Sequence, residues 1–237
     1  MTFRILFTLI LVTSSILDCE ATTFTITNNC QYTIWPATLT IHGNTPSLSG
    51  FELASHKSQT VVSERPWTWE GKIWARTYCN YAGTGCSTGD CGNLNCSNDA
   101  TITPPATIIL FNINVDVGKD EYAISLVDGF NLPVRVFPKG SGCLETNCPV
   151  DANAVCPNAL AVRNDSNAII GCKSACDALN QPQYCCTGAY AKNCKPTNYS
   201  EYFKSKCPHA LSYPKDDRSN CFFTCPTGSD YIITFCP

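Results

Sequence analysis

The sequence predicts an all-β protein, arranged as an antiparallel sandwich or barrel, and two observations carry this prediction. Seven segments are rich in β-branched and aromatic residues, and several alternate polar with apolar side chains. They are residues 22–28, 57–62, 72–78, 106–115, 121–127, 134–137 and 231–235. Polar turns lie between them, at 42–46, 116–119 and 138–142. Many short strands joined by polar turns are typical of antiparallel β architectures.

Cysteine content predicts the compartment. The 237-residue chain contains 18 cysteines, and nine of them lie within residues 143–207. Oxidising compartments join cysteines into disulfides, whereas the cytosol keeps them reduced. Zinc-type Cys-x-x-Cys pairs do not occur in the sequence. The pattern therefore indicates a secreted protein held together by disulfides.

One helix is expected within this cysteine-rich region. Ile169, Cys172, Cys176 and Leu179 follow one another at helical spacing, which predicts a helix over residues 168–179. Pro182 would end it, because proline restricts the residue before it.

The N-terminus has the layout of a signal peptide. Arg4 supplies a positive charge, an apolar run follows over residues 5–12, and Ala21 provides a small residue at a cleavage site. The apolar run is too short to span a membrane as a helix, so no transmembrane segment is expected.

The mature chain, residues 22–237, is slightly acidic. It has 15 basic and 17 acidic residues, a net charge of −2, and no basic run. Neither nucleic acid nor an anionic membrane is therefore expected as a partner. Three Asn-x-Ser sequons, at Asn95, Asn164 and Asn198, are candidate glycosylation sites.

Eight segments carry a family resemblance across almost the whole mature chain. They are, in order, TFTITNNC (23–30), IWARTYC (73–79), CSTGDC (86–91), ISLVDGFN (124–131), YCC (184–186), PTNYS (196–200), YPKDD (213–217) and FCP (235–237). With these segments the chain resembles the thaumatin-like proteins, the pathogenesis-related plant group that includes osmotin and zeamatin.

The resemblance implies an architecture for each part of the chain. Residues 22–78, 97–142 and 208–237 would form an antiparallel β-sandwich core. Residues 79–96 would form a small ribbon pinned by cysteines, and residues 143–207 a disulfide-rich lobe containing short helices. A cleft would lie between the core and the lobe.

It also implies a set of eight disulfides. The pairs are Cys30–Cys236, Cys79–Cys86, Cys91–Cys96, Cys143–Cys225, Cys148–Cys207, Cys156–Cys172, Cys176–Cys185 and Cys186–Cys194. Cys221 is left over. A buried thiol that packs as a small hydrophobe is expected there, with intermolecular pairing or exchange with Cys225 as alternatives.

The resemblance locates the cleft residues and shows that they have changed. Typical defence members line the cleft with an Arg, a Glu and three Asp. In this sequence those positions are occupied by Lys72, Leu110, Ala123, Asp128 and His209, so one carboxylate of four is retained. Strand alternation independently assigns Leu110 to the opposite face from the apolar residues 109 and 111.

These substitutions favour binding over catalysis. Glycoside hydrolysis uses two carboxyl groups, and Asp128 alone cannot perform both roles. We therefore expect a secreted, monomeric defence protein that binds a cell-wall glucan, or a small and partly apolar ligand, in the cleft. Perturbation of fungal walls or membranes is the outcome that the family implies, and the apoplast is favoured over the vacuole.

Other readings remain open at this point. A residual endo-β-1,3-glucanase could use Asp128 with Glu121, which lies two residues before Ala123. A recruited enzyme could use Lys72, Asp128 and His209, with the lysine as nucleophile and the histidine as base. An inert storage or allergen-type protein is a third reading.

Histidines and tryptophans are two further candidate residue types, as metal ligands and as a surface for carbohydrate stacking. His42, His56 and His209 lack metal-ligand spacing, so no metal or cofactor is expected. Tryptophans at 67, 69 and 74 could stack on a carbohydrate, but such aromatics more often pack a sandwich core.

Overall fold

The computed structural model describes residues 21–63, 68–116 and 118–237. The expected signal peptide, residues 1–21, therefore lies almost entirely outside the described residues, and Trp67 also lies outside them. Within the described ranges the chain is mostly β-strand, which confirms the predicted fold class.

The strands form two main sheets and one small one. Their bounds are β1 (Thr22–Asn28), β2 (Trp35–Gly43), β3 (Ser58–Ser63), β4 (Trp69–Arg76), β5 (Ile108–Asp116), β6 (Lys119–Ser125), β7 (Val134–Pro138), β8 (Thr146–Cys148), β9 (Ala161–Arg163), β10 (Ile169–Cys172), β11 (Ala210–Leu211), β12 (Phe223–Pro226) and β13 (Tyr231–Phe235). One sheet has the order β3-β1-β13-β7-β8 and the other β11-β6-β5-β4-β2, with β12 also paired to β6. Strands β9 and β10 pair separately.

An aromatic cluster fills the space between the two main sheets. Phe24, Trp69, Phe111, Tyr122 and Tyr231 are all buried, and the Phe24 and Phe111 rings lie 4.8 Å apart. Such pairs add attraction beyond the apolar area that they bury. The architecture is therefore a sandwich, one of the two alternatives that the sequence left open.

Local patterns predict seven of the thirteen strands described here, and the other six, β2 and β8 to β12, have no predicted counterpart. Strands β1 and β13 have the bounds predicted for them, and the other predicted strands shift by up to three residues. Strand β2 was not predicted, and its last two residues were assigned to a turn. Its apolar content is broken by Thr38 and Thr40, which are buried here.

The predicted helix over residues 168–179 is wrong in its first half. Residues Ile169–Cys172 form β10, and the helix α1 covers only Ala175–Leu179. The backbone of Cys172 pairs with that of Phe130 in both directions, and its side chain is bridged to Cys156. Ser174 then caps the helix by accepting a hydrogen bond from the backbone N–H of Asp177.

The lobe contains two further short helices, α2 (Pro182–Cys185) and α3 (Asn198–Lys206). Thr197 and Ser200 form a reciprocal capping box at the start of α3. Because the three helices are short, tertiary contacts and disulfides must supply most of their stability.

Eight disulfides are present, and they are the pairs that the family resemblance implied: 30–236, 79–86, 91–96, 143–225, 148–207, 156–172, 176–185 and 186–194. Within the described residues Cys221 is the free cysteine, and it is fully buried. Its Sγ lies 3.3 Å from the Nζ of Lys204.

Candidate functional site

The candidate site starts from one row of residues that crosses the larger sheet. Leu39, Lys72, Leu110 and Ala123 lie opposite one another on β2, β4, β5 and β6. Their strand neighbours Ile73, Ile109, Phe111 and Tyr122 are buried in the sandwich core. Since successive side chains of a strand point to opposite faces, the row faces away from that core.

Asp128 lies at the edge of this face, three residues after β6 ends. Its backbone oxygen accepts a hydrogen bond from the backbone N–H of Ala106. Gly129, with a φ of +84°, turns the chain directly after it, and a Cβ there would lie 2.5 Å from the Cys172 carbonyl oxygen. A residue with a side chain would therefore strain this turn.

Lys72 and Asp128 line the same depression, together with residues 98–102 and with Leu39 and Ile41 of β2. Its volume is about 350 Å³. Partial burial raises the pKa of Asp128 above its ordinary value, and the positive charge of Lys72 acts against this rise. The one retained acid thus lies near enough to Lys72, at the position of the family arginine, for the lysine charge to act on its ionisation.

Asp177 is a further acid near this place, and sequence reasoning missed it. It lies in the first turn of α1, where its Oδ2 accepts a 2.7 Å hydrogen bond from the Ser174 hydroxyl. Partial burial raises the pKa of Asp177. The hydrogen bond from Ser174 acts to lower that pKa, and the negative charge of Asp128 acts to raise it further. The lobe therefore brings a second carboxyl close enough to Asp128 for their ionisation to be linked. The Ser-x-x-Asp spacing of residues 174–177 is a sequence signal typical of a helix start, but it does not show what the Asp177 side chain faces.

Glu121 and Asp128 do not come together in the same way. Glu121 lies near the start of β6, where its Oε2 accepts a 3.2 Å hydrogen bond from the Asn112 side chain. Ser125, at the other end of the strand, is four residues away, or about 13 Å along the backbone. Asp128 lies beyond that end, so Asp177 is the better placed partner for it.

His209 lies at the far side of the sheet from Lys72. It directly precedes β11, whose Ala210 pairs with Ile124 of β6. Three strand spacings, about 14 Å, separate β11 from β4. The exposed imidazole packs edge-on against Phe223, and its Nδ1 lies 3.3 Å from the Asn220 carbonyl oxygen. Lys72 and His209 are therefore too far apart for direct proton transfer between them.

The tryptophans and the possible metal ligands are the remaining candidates from the sequence. Trp69 and Trp74 are buried and donate to the Thr40 hydroxyl and the Gly89 carbonyl, so they pack rather than form a platform. The described residues contain no group of three or more His, Cys, Asp or Glu side chains that could hold a metal ion. Among them there is also no helix long and apolar enough to cross a membrane.

A partly buried ion pair holds β11 at the edge of the sheet. The Nζ of Lys204 lies 2.7 Å from the Oδ2 of Asp216 and also donates to the Ala210 carbonyl. The same carboxylate accepts from the backbone N–H and the hydroxyl of Ser212. Burial alone would raise the pKa of Asp216, but the hydrogen bonds from Lys204 and Ser212 outweigh it and lower that pKa.

This pair predicts acid sensitivity. Because the folded-state pKa of Asp216 lies below its unfolded value, its stabilisation is present above about pH 4 and is lost as the pH falls. We expect Asp216→Asn to lower the free energy of unfolding by about 2 kcal/mol at pH 7. Urea denaturation at pH 7 and at pH 2.5 measures it: the gap between variant and wild type should shrink in acid. A gap that is equal at both pH values would contradict the assignment, and Asp165→Asn on the exposed lobe surface is the control.

Comparison with known proteins shows a match to one family over most of the chain. The family model described as the thaumatin family matches residues 28–237. A Pyrus pyrifolia protein named thaumatin-like protein 1 is 48% identical over 224 residues, which is 90% of each chain.

Two further relatives carry names that point to activity or role. A Prunus avium protein named glucan endo-1,3-beta-glucosidase is 45% identical, with coverage of 92% of this chain and 91% of that protein. An Arabidopsis thaliana protein named pathogenesis-related protein 5 is 44% identical, with coverage of 97% and 95%.

Proposed function

We propose, because this chain belongs to the thaumatin family, that it is a secreted plant defence protein acting by binding in the groove beside Lys72 and Asp128. The relative named pathogenesis-related protein 5 supports the defence role. Eight disulfides support secretion, since a reducing compartment would not maintain them.

The row Leu39–Lys72–Leu110–Ala123 carries the proposal of binding over cleavage. Apolar side chains occupy two of the positions at which the family places acids, and the retained Asp128 lies beside a lysine. Ala123 itself is fully buried, so a ligand in the depression would meet Lys72, Asp99 and Asp128 beside apolar residues such as Ile41. This lining has little net charge and a few directional polar groups, which suits a neutral or partly apolar ligand. A neutral glucan segment, or a small metabolite with an apolar face, meets that description.

Hydrolysis of β-1,3-glucan is the second candidate, and one observation favours it. Asp128 and Asp177 are two carboxyls whose pKa values are both raised, and glycoside hydrolysis needs one protonated and one ionised carboxyl. The Prunus avium relative named glucan endo-1,3-beta-glucosidase is consistent with it. Against it, the Asp177 carboxylate is held by Ser174 as part of the α1 cap.

Laminarin separates the two candidates. We expect the protein to bind laminarin oligomers in calorimetry without releasing reducing ends, and Asp128→Asn to weaken binding about fivefold through loss of a charged acceptor. Asp177→Asn should change affinity less, because Ser174 already occupies that carboxylate.

The contrary result would be equally clear. Release of reducing sugars that is abolished by Asp128→Asn and by Asp177→Asn, but kept by the exposed-surface control Asp165→Asn, would establish hydrolysis. If neither glucan oligomers nor small apolar plant metabolites bind, the groove has no ligand of the proposed class.

A further inference from the structure

A stacked pair of exposed tyrosines lies at one end of the sandwich. The rings of Tyr32 and Tyr78 are 5.5 Å apart and 23° from parallel. Each side chain is about two-fifths exposed, at 39% and 44%. A pair of exposed aromatic rings held side by side offers a flat face on which the ring of a ligand can stack.

Disulfides fix both tyrosines. Cys30, two residues before Tyr32, is bridged to Cys236, and Cys79, directly after Tyr78, is bridged to Cys86. The backbone of Tyr78 has a φ of +55°, a conformation that the adjoining bridge helps to hold. The stack is therefore rigid before any ligand arrives, which lowers the entropic cost of binding.

Two depressions flank the stack. The first, of about 410 Å³, is lined by Tyr32 and by the polar residues Asn29, Gln31, Asn131, Asp151 and Asn153. The second, of about 500 Å³, is lined by Thr33, Trp35, Glu52, Cys79, Asn80 and Tyr81. The Tyr81 side chain is fully exposed and lies on the rim of this second depression.

Each depression contains a buried polar atom without a hydrogen-bond partner among the described residues. Asn153 is 91% buried; its Nδ2 donates to the Asn131 carbonyl at 2.9 Å, while its Oδ1 has no donor. On the other side, the Nε1 of Trp35 is buried and has no acceptor. A buried polar atom left unpaired costs free energy, so each of these two side chains gains by turning that atom toward a ligand hydroxyl in the depression.

The charges indicate the class of ligand. Apart from tyrosine hydroxyls, the ionisable groups that line the two depressions are the carboxylates of Glu52 and Asp151. Neither depression is lined by a lysine or arginine. Burial, with Tyr78 and Asp151 nearby, raises the pKa of Tyr32, so its hydroxyl remains a neutral donor. Phosphates and acidic polymers are disfavoured here, whereas a molecule with many hydroxyls can both donate to carboxylates and accept from N–H groups.

From these features we infer a second binding site, distinct from the groove beside Lys72, that takes a neutral oligosaccharide. One sugar ring stacks on the Tyr32–Tyr78 pair, and its neighbours extend into the two depressions, where hydroxyls meet Asn153, Asp151 and Glu52. Lys72 lies four residues before Arg76 at the end of β4, about 13 Å along the strand, and Tyr78 lies beyond that end. The two sites can therefore be tested independently.

The test uses the full secreted chain and four neutral hexasaccharides, those of β-1,3-glucan, cellulose, xylan and chitin. Saturation-transfer NMR and calorimetry measure binding to wild type, Tyr78→Ala, Tyr81→Ala and Asp128→Asn. Tyr190→Ala is the matched control, because Tyr190 is equally exposed but lies in the lobe. We expect at least one hexasaccharide to bind, Tyr78→Ala to weaken it about tenfold, and Tyr81→Ala to weaken it several-fold.

Tyr190→Ala should leave that affinity unchanged, whereas Asp128→Asn should weaken only the binding that occurs in the groove beside Lys72 and leave the losses caused by the two tyrosine variants in place. Binding that is lost in Asp128→Asn but kept in both tyrosine variants would locate the saccharide in the groove and overturn this inference while supporting the proposed function. Absence of binding by all four hexasaccharides would also overturn it. Should Tyr78→Ala fail to fold, Tyr81→Ala decides, since its fully exposed ring packs against no core residue.

Discussion

Replacing Cys30 and Cys236 together with alanine is expected to lower the free energy of unfolding by about 5 kcal/mol. The bridge joins residues 206 positions apart, so it restricts the unfolded chain more than any shorter loop does. It also joins the ends of the parallel pair β1–β13, where Asn28 lies opposite Phe235. Without it, the first and last strands must find each other from opposite ends of the chain.

The matched control is the double alanine variant of Cys91 and Cys96. The bridge that it removes joins residues only five positions apart. The same chain-entropy relation gives about 2 kcal/mol for that bridge. Guanidinium denaturation followed by tryptophan fluorescence measures both. Equal losses in the two variants would show that loop length does not determine the stabilisation, and would contradict the prediction.

Replacing Arg76 is the second change for which we expect a large loss of stability, because its guanidinium is completely buried. It donates to the carbonyl oxygens of Trp35, Gly83, Asn93 and Leu94 at 2.7–3.2 Å. Residues 79–96, the expected ribbon, form loops with a single isolated bridge residue, Thr88, rather than paired strands, and the Arg76 hydrogen bonds tie these loops to β2 and β4. Burial lowers the pKa of this arginine to about 10, and the negative charge of Asp90 acts against that decrease, so the side chain is still charged at neutral pH.

We expect Arg76→Met to lower the free energy of unfolding by about 3 kcal/mol, because buried carbonyl groups lose their donors. Arg76→Lys should recover part of this loss, since an ammonium group supplies fewer and less directional donors than the guanidinium fork. Thermal unfolding measures the loss, and limited proteolysis should show faster cleavage within residues 79–96.

The control for this series is Arg163→Met on the exposed surface of β9, where a change of at most about 0.5 kcal/mol is expected. A result in which Arg76→Met unfolds like that control, or leaves the ribbon as resistant to protease as before, would show that the carbonyl contacts do not hold the ribbon in place.

The sequence by itself determined features that depend on local periodicity. Alternation located β1 and β13 and separated Leu110 from the core-facing residues beside it, because side chains on a strand must point to alternate faces. The cysteine count indicated a disulfide-held secreted protein for a chemical reason that needs no structure. The same reasoning gave a wrong prediction for residues 168–172. The spacing of their apolar side chains suits a helix, but pairing with β9 and the bridge from Cys172 to Cys156 make the segment a strand.

Only the tertiary structure decided which distant residues meet. Asp177 approaches Asp128 because the lobe folds against the core, whereas His209 is held at the far edge of the sheet by β11. Tyr32 and Tyr78 stack although 46 positions separate them, since two disulfides fix their neighbours. A local pattern reports the face on which a side chain lies; the distance between two such faces depends on how the sheets, lobe and bridges close around one another, and no short stretch of sequence contains that information.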